Sequence, residues 1–154
     1  MADPTPDALA EATAYEQEIA DEAEKIRGEA KELTPALFME LWPLLKRPIP
    51  PAFIQTVGVT KGKPYASTGV RSVQVQIDRL NNVLTPLWWW DSVTYEQDGK
   101  LAHVSIWVGD QMTGEAIIGR RSSGGVNQGS TLGNVHKGSY TNAAKLALAR
   151  LGIG

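Results

Sequence analysis

Within the runs 88–96 and 101–108, residues 93–96 and 102–106 alternate apolar with polar side chains, and the two runs are joined at Asp98-Gly99. Alternation with a period of two is the mark of a strand with one buried face. Asp-Gly is favoured in tight turns that demand positive φ, so the two runs are predicted to pair as an antiparallel hairpin. A third short run, 115–120, extends the hairpin to a three-stranded meander. Such a sheet has one face to bury, and the rest of the chain must cover it.

The cover is predicted to be helical. Over 139–151, Tyr140, Ala144, Ala147, Leu148 and Leu151 share one helix face, and Gly152 fits the C-cap. Over 69–84, Val70, Val73, Ile77, Leu80 and Leu84 recur at spacings of three and four. Thr34 and Pro35 form an N-cap and first helical position for a short helix through Leu37, Met39 and Leu41, which Pro43, Pro48, Pro50 and Pro51 are expected to end. Residues 53–59 and 65–68 read as strands flanking the turn Lys61-Gly62-Lys63-Pro64, a hairpin with two lysines at its tip. The glycine-rich stretch 121–138 has little apolar surface and is expected to be a long mobile loop. The fold class is therefore α+β: an antiparallel β-hairpin and a β-meander packed on helices, with a long closing C-terminal helix.

Charge divides the chain. Residues 1–33 hold 10 acids and 3 bases, a balance of −7, whereas 34–154 hold 7 acids and 12 bases, a balance of +5. This predicts an acidic helical arm (1–33) on a basic body (34–154), and a basic body suits a polyanionic partner, although charge for solubility alone gives the same count. Over 7–33 the sequence is rich in Ala and Glu, with Ile19, Ala23, Ile26 and Ala30 on one weak stripe. That is a helix with little to bury: a solvated arm, a docking element for a neighbouring subunit, or a competitor offering carboxylates to the basic surface.

Several chemistries have no residues to carry them. There is no cysteine for a disulfide, a thiolate zinc site or a thiol nucleophile, and there are two histidines, His103 and His136, with no carboxylate or second histidine at ligand spacing. Glu40, Asp78, Asp91, Glu96, Asp98, Asp110 and Glu115 are scattered singly, which does not suit the metals of a nuclease. Residues 114–122 echo a phosphate-binding loop, but Arg120 stands where its lysine would be and no helix is expected directly after it. The expectation is a protein that is not an enzyme and takes no metal or cofactor. No run approaches the roughly 18 apolar residues of a membrane span, and the acidic start lacks the features of a secretory signal. A cytoplasmic location follows as an expectation.

In the run Trp88-Trp89-Trp90, alternation puts Trp89 with Leu87, Val93 and Tyr95 and sends Trp88 and Trp90 to the other face. An outward indole would stack on bases or pack on a neighbouring subunit; full burial of all three is the competing reading.

The segment Tyr65-Ala66-Ser67-Thr68-Gly69-Val70-Arg71-Ser72-Val73, the stretch 80–89, and residues 137–154 occur in an order that resembles Rad-fifty-two-type single-strand annealing proteins, including phage Sak-type members. The positions that carry it are Tyr65, Gly69, Arg71, Trp89, Thr141, Lys145 and Gly152, within a resemblance covering about 35–154. It implies a homo-oligomeric ring that binds single-stranded DNA in a basic groove and anneals complementary strands in recombination without ATP. It also implies host or phage replication and recombination proteins as partners. By the same resemblance Arg71 and Lys145 grip phosphates, for which a planar fork and a compact charge are suited; a surface ion pair and a solvated helix face are the plainer alternatives. Lys61, Lys63, Arg120, Arg121 and Lys137 are further candidates on charge and position, and Trp89 on its place in the pattern. The chain departs from the family by carrying Asn142 and Leu146 where members often have an acid and a second base. Arg150 does not replace the missing base, because five helical residues rotate it about 140° from Lys145. An adaptor oligomer with a basic patch and a duplex-binding module are the rival readings.

Overall fold

The computed structural model describes residues 3–57, 67–84, 87–126 and 131–154. Its elements are α1 (Pro6–Arg27), α2 (Pro35–Leu45), a 3-10 turn (Pro51–Phe53), β1 (Ile54–Val57), β2 (Ser67–Val70), α3 (Val73–Val83), β3 (Trp89–Glu96), β4 (Leu101–Asp110), β5 (Glu115–Gly125) and α4 (Leu132–Arg150). The fold is α+β, with one antiparallel pair, β1-β2, and one antiparallel meander, β3-β4-β5. The reversal between β3 and β4 comes one residue earlier than the Asp-Gly pair suggests. Gly99 N–H donates to the Glu96 carbonyl at 3.1 Å, so Gln97 and Asp98 are the central residues, at φ 55° and 56°. Gly99 follows at φ 84°, extending the left-handed run through a third residue.

Alternation sorts the central strand as far as Val108, where the pairing with β5 shifts register. On β4, Ala102, Val104, Ile106 and Val108 are buried, while Leu101, His103, Ser105 and Trp107 point the other way and are half-exposed. Register carries this across the sheet: Trp90 lies opposite Trp107, which lies opposite Gly119; Ser105 lies opposite Ser92 and Arg121. The buried face packs on α4 through Ala143, Ala144, Ala147 and Leu148. Gly124 permits that approach, because a Cβ there would stand 2.3 Å from the Ala143 backbone nitrogen.

The stretch 121–138 is therefore not a long loop. β5 continues to Gly125, and α4 opens at Leu132, capped by the Thr131 hydroxyl, which accepts from Asn134 N–H at 3.1 Å. Two of its described glycines serve close packing, Gly124 against α4 and Gly138 against Val126, whereas Gly133 meets nothing nearer than 3.9 Å. α4 ends in a Schellman arrangement: Ile153 N–H reaches the Leu148 carbonyl at 3.0 Å and Gly152 N–H the Ala149 carbonyl at 2.9 Å, with Gly152 at φ 104°.

Three further boundaries differ from expectation. α2 runs on through Pro43 to Leu45; Met39 and Pro43 are both exposed, so the carbonyl that Pro43 leaves without a helical donor faces solvent. α3 begins at Val73 behind the Ser72 cap, because Val70 is taken by pairing with Ile54. Trp88 precedes the ladder and joins the core at 5% exposure, away from the Trp90 face.

α1 stops at Gly28, which takes φ 54°, rather than reaching Leu33. It is more deeply set than its weak stripe predicts: Ala12, Ile19 and Ala23 are buried, and the helix packs against α2, α3 and the 3-10 turn. The anchor is polar. Arg79 on α3, itself fully buried, makes two bonds to Glu16, at 2.8 and 2.6 Å, and donates to the carbonyls of Leu44, Leu45, Arg47 and Pro48. A second pair, Arg47 with Glu22 at 2.6 Å, is exposed and contributes little.

Candidate nucleic-acid interface

Arg71 and Lys145 are brought together. Arg71 follows β2 directly; its backbone N–H is held by the Phe53 carbonyl at 2.8 Å and its Nε by the Ala52 carbonyl at 3.1 Å. Lys145 projects from α4 so that Nζ lies 3.4 Å from the carbonyl of Val70, the residue before Arg71. Both side chains are half-buried, and no carboxylate among the described residues forms an ion pair with Lys145. The junction is fixed from behind by Gln76, 1% exposed, whose amide nitrogen donates to the Lys145 carbonyl at 3.1 Å and the Ile153 carbonyl at 2.7 Å. One buried amide thus ties α3, α4 and the segment after α4 at the point where two cations meet.

A second basic group sits where α4 ends beside β5. Arg120 Nε donates to the Arg150 carbonyl at 3.2 Å, its Nη1 to the Gly119 carbonyl at 2.9 Å, and Arg150 reaches the Arg121 carbonyl. A guanidinium at a helix C-terminus is favoured by the helix dipole, which explains Arg120 without a ligand. Arg121 points to the opposite face of the sheet and is exposed; Lys137 is exposed on the first half of α4. Lys61, Lys63 and Tyr65 lie outside the described residues.

Trp89 faces the helices, packs against the core and gives its Nε1–H to Asn81 Oδ1 at 2.7 Å. The sheet's other face carries Trp90 and Trp107. Sequence reasoning passed over Trp107, although its odd-numbered place beside Leu101 and His103 put it on the outward side. His103 has a partner that spacing did not reveal: Nε2 lies 3.0 Å from Glu96 across the hairpin, and Nδ1 lies 2.6 Å from the Ser123 hydroxyl. Among the described residues no group of three His, Asp or Glu side chains is placed to hold a metal, and no helix is long and apolar enough to cross a membrane.

Tyr140 on α4 donates to Asp91 Oδ2 at 2.7 Å, tying the helix to the edge strand. Burial, and then the bond to Asp91, push the phenol well above its ordinary value of 10.0. The folded state holds this proton more tightly than the unfolded chain, so the stabilisation is complete below about pH 10 and declines as pH rises further. Tyr140→Phe is expected to cost about 1 kcal/mol at neutral pH. Urea unfolding at pH 7.5 and 10.5 checks this: the gap to the parent narrows at the higher pH, and an equal gap at both would discount the bond.

No known protein-family model matches the sequence, and no curated protein matches it.

Proposed function

We propose that the protein binds single-stranded DNA without sequence preference and anneals complementary strands, as a homo-oligomeric ring that needs neither ATP nor metal. The observation that carries the reading is the meeting of Arg71 and Lys145. They lie far apart in the chain, yet Lys145 Nζ stands 3.4 Å from the carbonyl of Val70, the residue before Arg71, whose own Nε bonds the Ala52 carbonyl. Annealing breaks no covalent bond; it requires phosphates neutralised along a groove and bases left free to pair. Two half-buried cations whose polar ends are held by backbone carbonyls suit the first requirement, because little side-chain freedom remains to be lost on binding. The element order supports the same reading, with a strand running into Arg71 and α3, Trp89 opening the meander, and Lys145 on the last helix.

The test is annealing of two complementary fluorescent oligonucleotides with no nucleotide or metal added, on protein whose mass is followed by light scattering. The parent is expected to accelerate annealing as an oligomer. Arg71→Ala and Lys145→Ala are each expected to weaken single-strand binding about ten-fold, as loss of one charge-assisted contact implies, and to lower the salt slope by about 0.7. Assembly should be unchanged. Parent-like binding by both variants removes the residue assignment, and an absence of annealing and single-strand binding in the parent removes the function in favour of a protein-binding adaptor. Preference for duplex would point to the duplex-binding module.

A further inference from the structure

The face of the meander turned away from α4 has no described element packed against it. An uncovered sheet face is ordinarily dressed in charged and polar side chains. Here it carries two indoles directly opposite one another on β3 and β4, Trp90 and Trp107.

Trp107 is held as a platform. Its six-membered ring lies over Gly119 on β5, so close that a Cβ at that position would stand 2.4 Å from Cε3 and from Cζ3. Its Nε1 reaches the Ser92 hydroxyl at 3.3 Å. One ring face rests on backbone and the polar edge is tethered, so the indole keeps its orientation while staying half-exposed. A ring ordered in advance loses little entropy when a flat partner stacks on it. The next row of the sheet, roughly 7 Å along by strand geometry, holds Ser92, Ser105 and the exposed Arg121. Short hydroxyls leave the approach to the rings open and offer hydrogen bonds to sugars and base edges. The carboxylate of this face, Glu96, lies at its far end and is engaged by His103.

We infer that this face is a stacking platform for unpaired nucleic-acid bases, with Trp107 and Trp90 receiving bases and Arg121 contacting the neighbouring phosphate. The inference rests on the proposed single-strand binding and adds a surface to it, on the side of the sheet opposite α4. Two indoles among serines and one guanidinium match the pairing of aromatic stacking with cationic backbone contact that tolerates any base sequence. A permanent subunit interface would instead place a largely apolar core here.

The experiment is photo-crosslinking of the full chain to an oligothymidylate carrying 5-iododeoxyuridine, with the crosslinked residues located by mass spectrometry. It is paired with binding measurements on Trp107→Leu, Trp90→Leu and Trp107→Tyr. Crosslinks are expected at Trp107 and Trp90. Trp107→Leu should weaken single-strand binding about ten-fold, with Trp107→Tyr restoring most of it, since tyrosine keeps a stacking surface that leucine lacks. Light scattering should show the parent mass throughout. Crosslinks confined to the Arg71 and Lys145 junction, with parent-like binding by Trp107→Leu, overturn the platform and leave single-strand binding standing. A leucine variant that loses mass while each remaining unit binds as the parent does makes this a contact between copies and overturns it too. Failure of the parent to bind at all removes both proposals together.

Discussion

Arg79→Met is expected to lower stability by about 3–5 kcal/mol, the usual cost of removing one partner from a buried ion pair. For a chain of this size that corresponds to a fall in Tm of roughly 10 °C. The guanidinium is fully buried and Glu16 nearly so, at 12% side-chain exposure. Removing the arginine leaves a carboxylate without its cation and four carbonyls, at Leu44, Leu45, Arg47 and Pro48, without these donors. Two of those carbonyls close α2, where a helix has no donors of its own to offer. For this reason the double variant Arg79→Met with Glu16→Leu is expected to recover only a part of the loss, although exchange of a buried pair for apolar residues is often neutral. Urea unfolding of the three proteins decides it. Full recovery in the double variant would mean that the carbonyls find water and that the ion pair alone matters.

The second large effect concerns a missing side chain. Gly124→Ala would place a methyl group 2.3 Å from Ala143 N, 2.7 Å from the Asn142 carbonyl carbon and 2.9 Å from Ala143 Cα. All three atoms are helix backbone, which has no rotamer to change. α4 must lift from β5, loosening the contacts of Ala143, Ala144 and Ala147 with the sheet, and overpacking of this kind costs about 1–3 kcal/mol or more. Gly133→Ala on the same helix supplies the contrast, since a Cβ there finds its nearest neighbour at 3.9 Å. It is expected to raise stability by up to about 1 kcal/mol, the propensity gain of alanine over glycine. Changes of the same sign in these two variants would contradict the view that Gly124 is held by contact and Gly133 by nothing.

The parts of the fold legible in the sequence are those set by local patterns. The meander follows from alternation and one Asp-Gly pair, the start of α2 from Thr34 and Pro35, and the inner face of α4 from its alanines and leucines. The failures share a physical cause, which is that composition does not say why a residue is there. Glycines between 121 and 138 read as a loop because flexibility and close approach use the same residue. The spacing over 69–84 points to Val70, Val73, Ile77, Leu80 and Leu84; Val70, Leu80 and Leu84 are buried, but Val73 and Ile77 are half-buried, and Gln76, Arg79 and Val83 take the deep places instead. Long polar side chains can turn inward when every donor is met, and no apolar pattern announces them. α1 packs more deeply than its weak apolar stripe indicates for the same reason, since its anchor is the buried Arg79. At the candidate interface, Arg71 and Lys145 rested on resemblance, and their convergence depends on how α4 crosses the start of α3. Trp107 was visible as a spacing but not as a ring lying on a glycine.

The fixing of α1 has an electrostatic consequence. A tethered helix carrying most of the charge of −7 found in residues 1–33 would sample many positions, and its field would average toward a diffuse screen around the basic remainder. Held through Glu16 to Arg79 and through Glu22 to Arg47, it contributes instead to a permanent dipole moment with a set direction in the molecular frame. Such a molecule would turn as it neared a polyanion, bringing its positive pole forward before contact. That alignment extends about one Debye length and fades as salt is added.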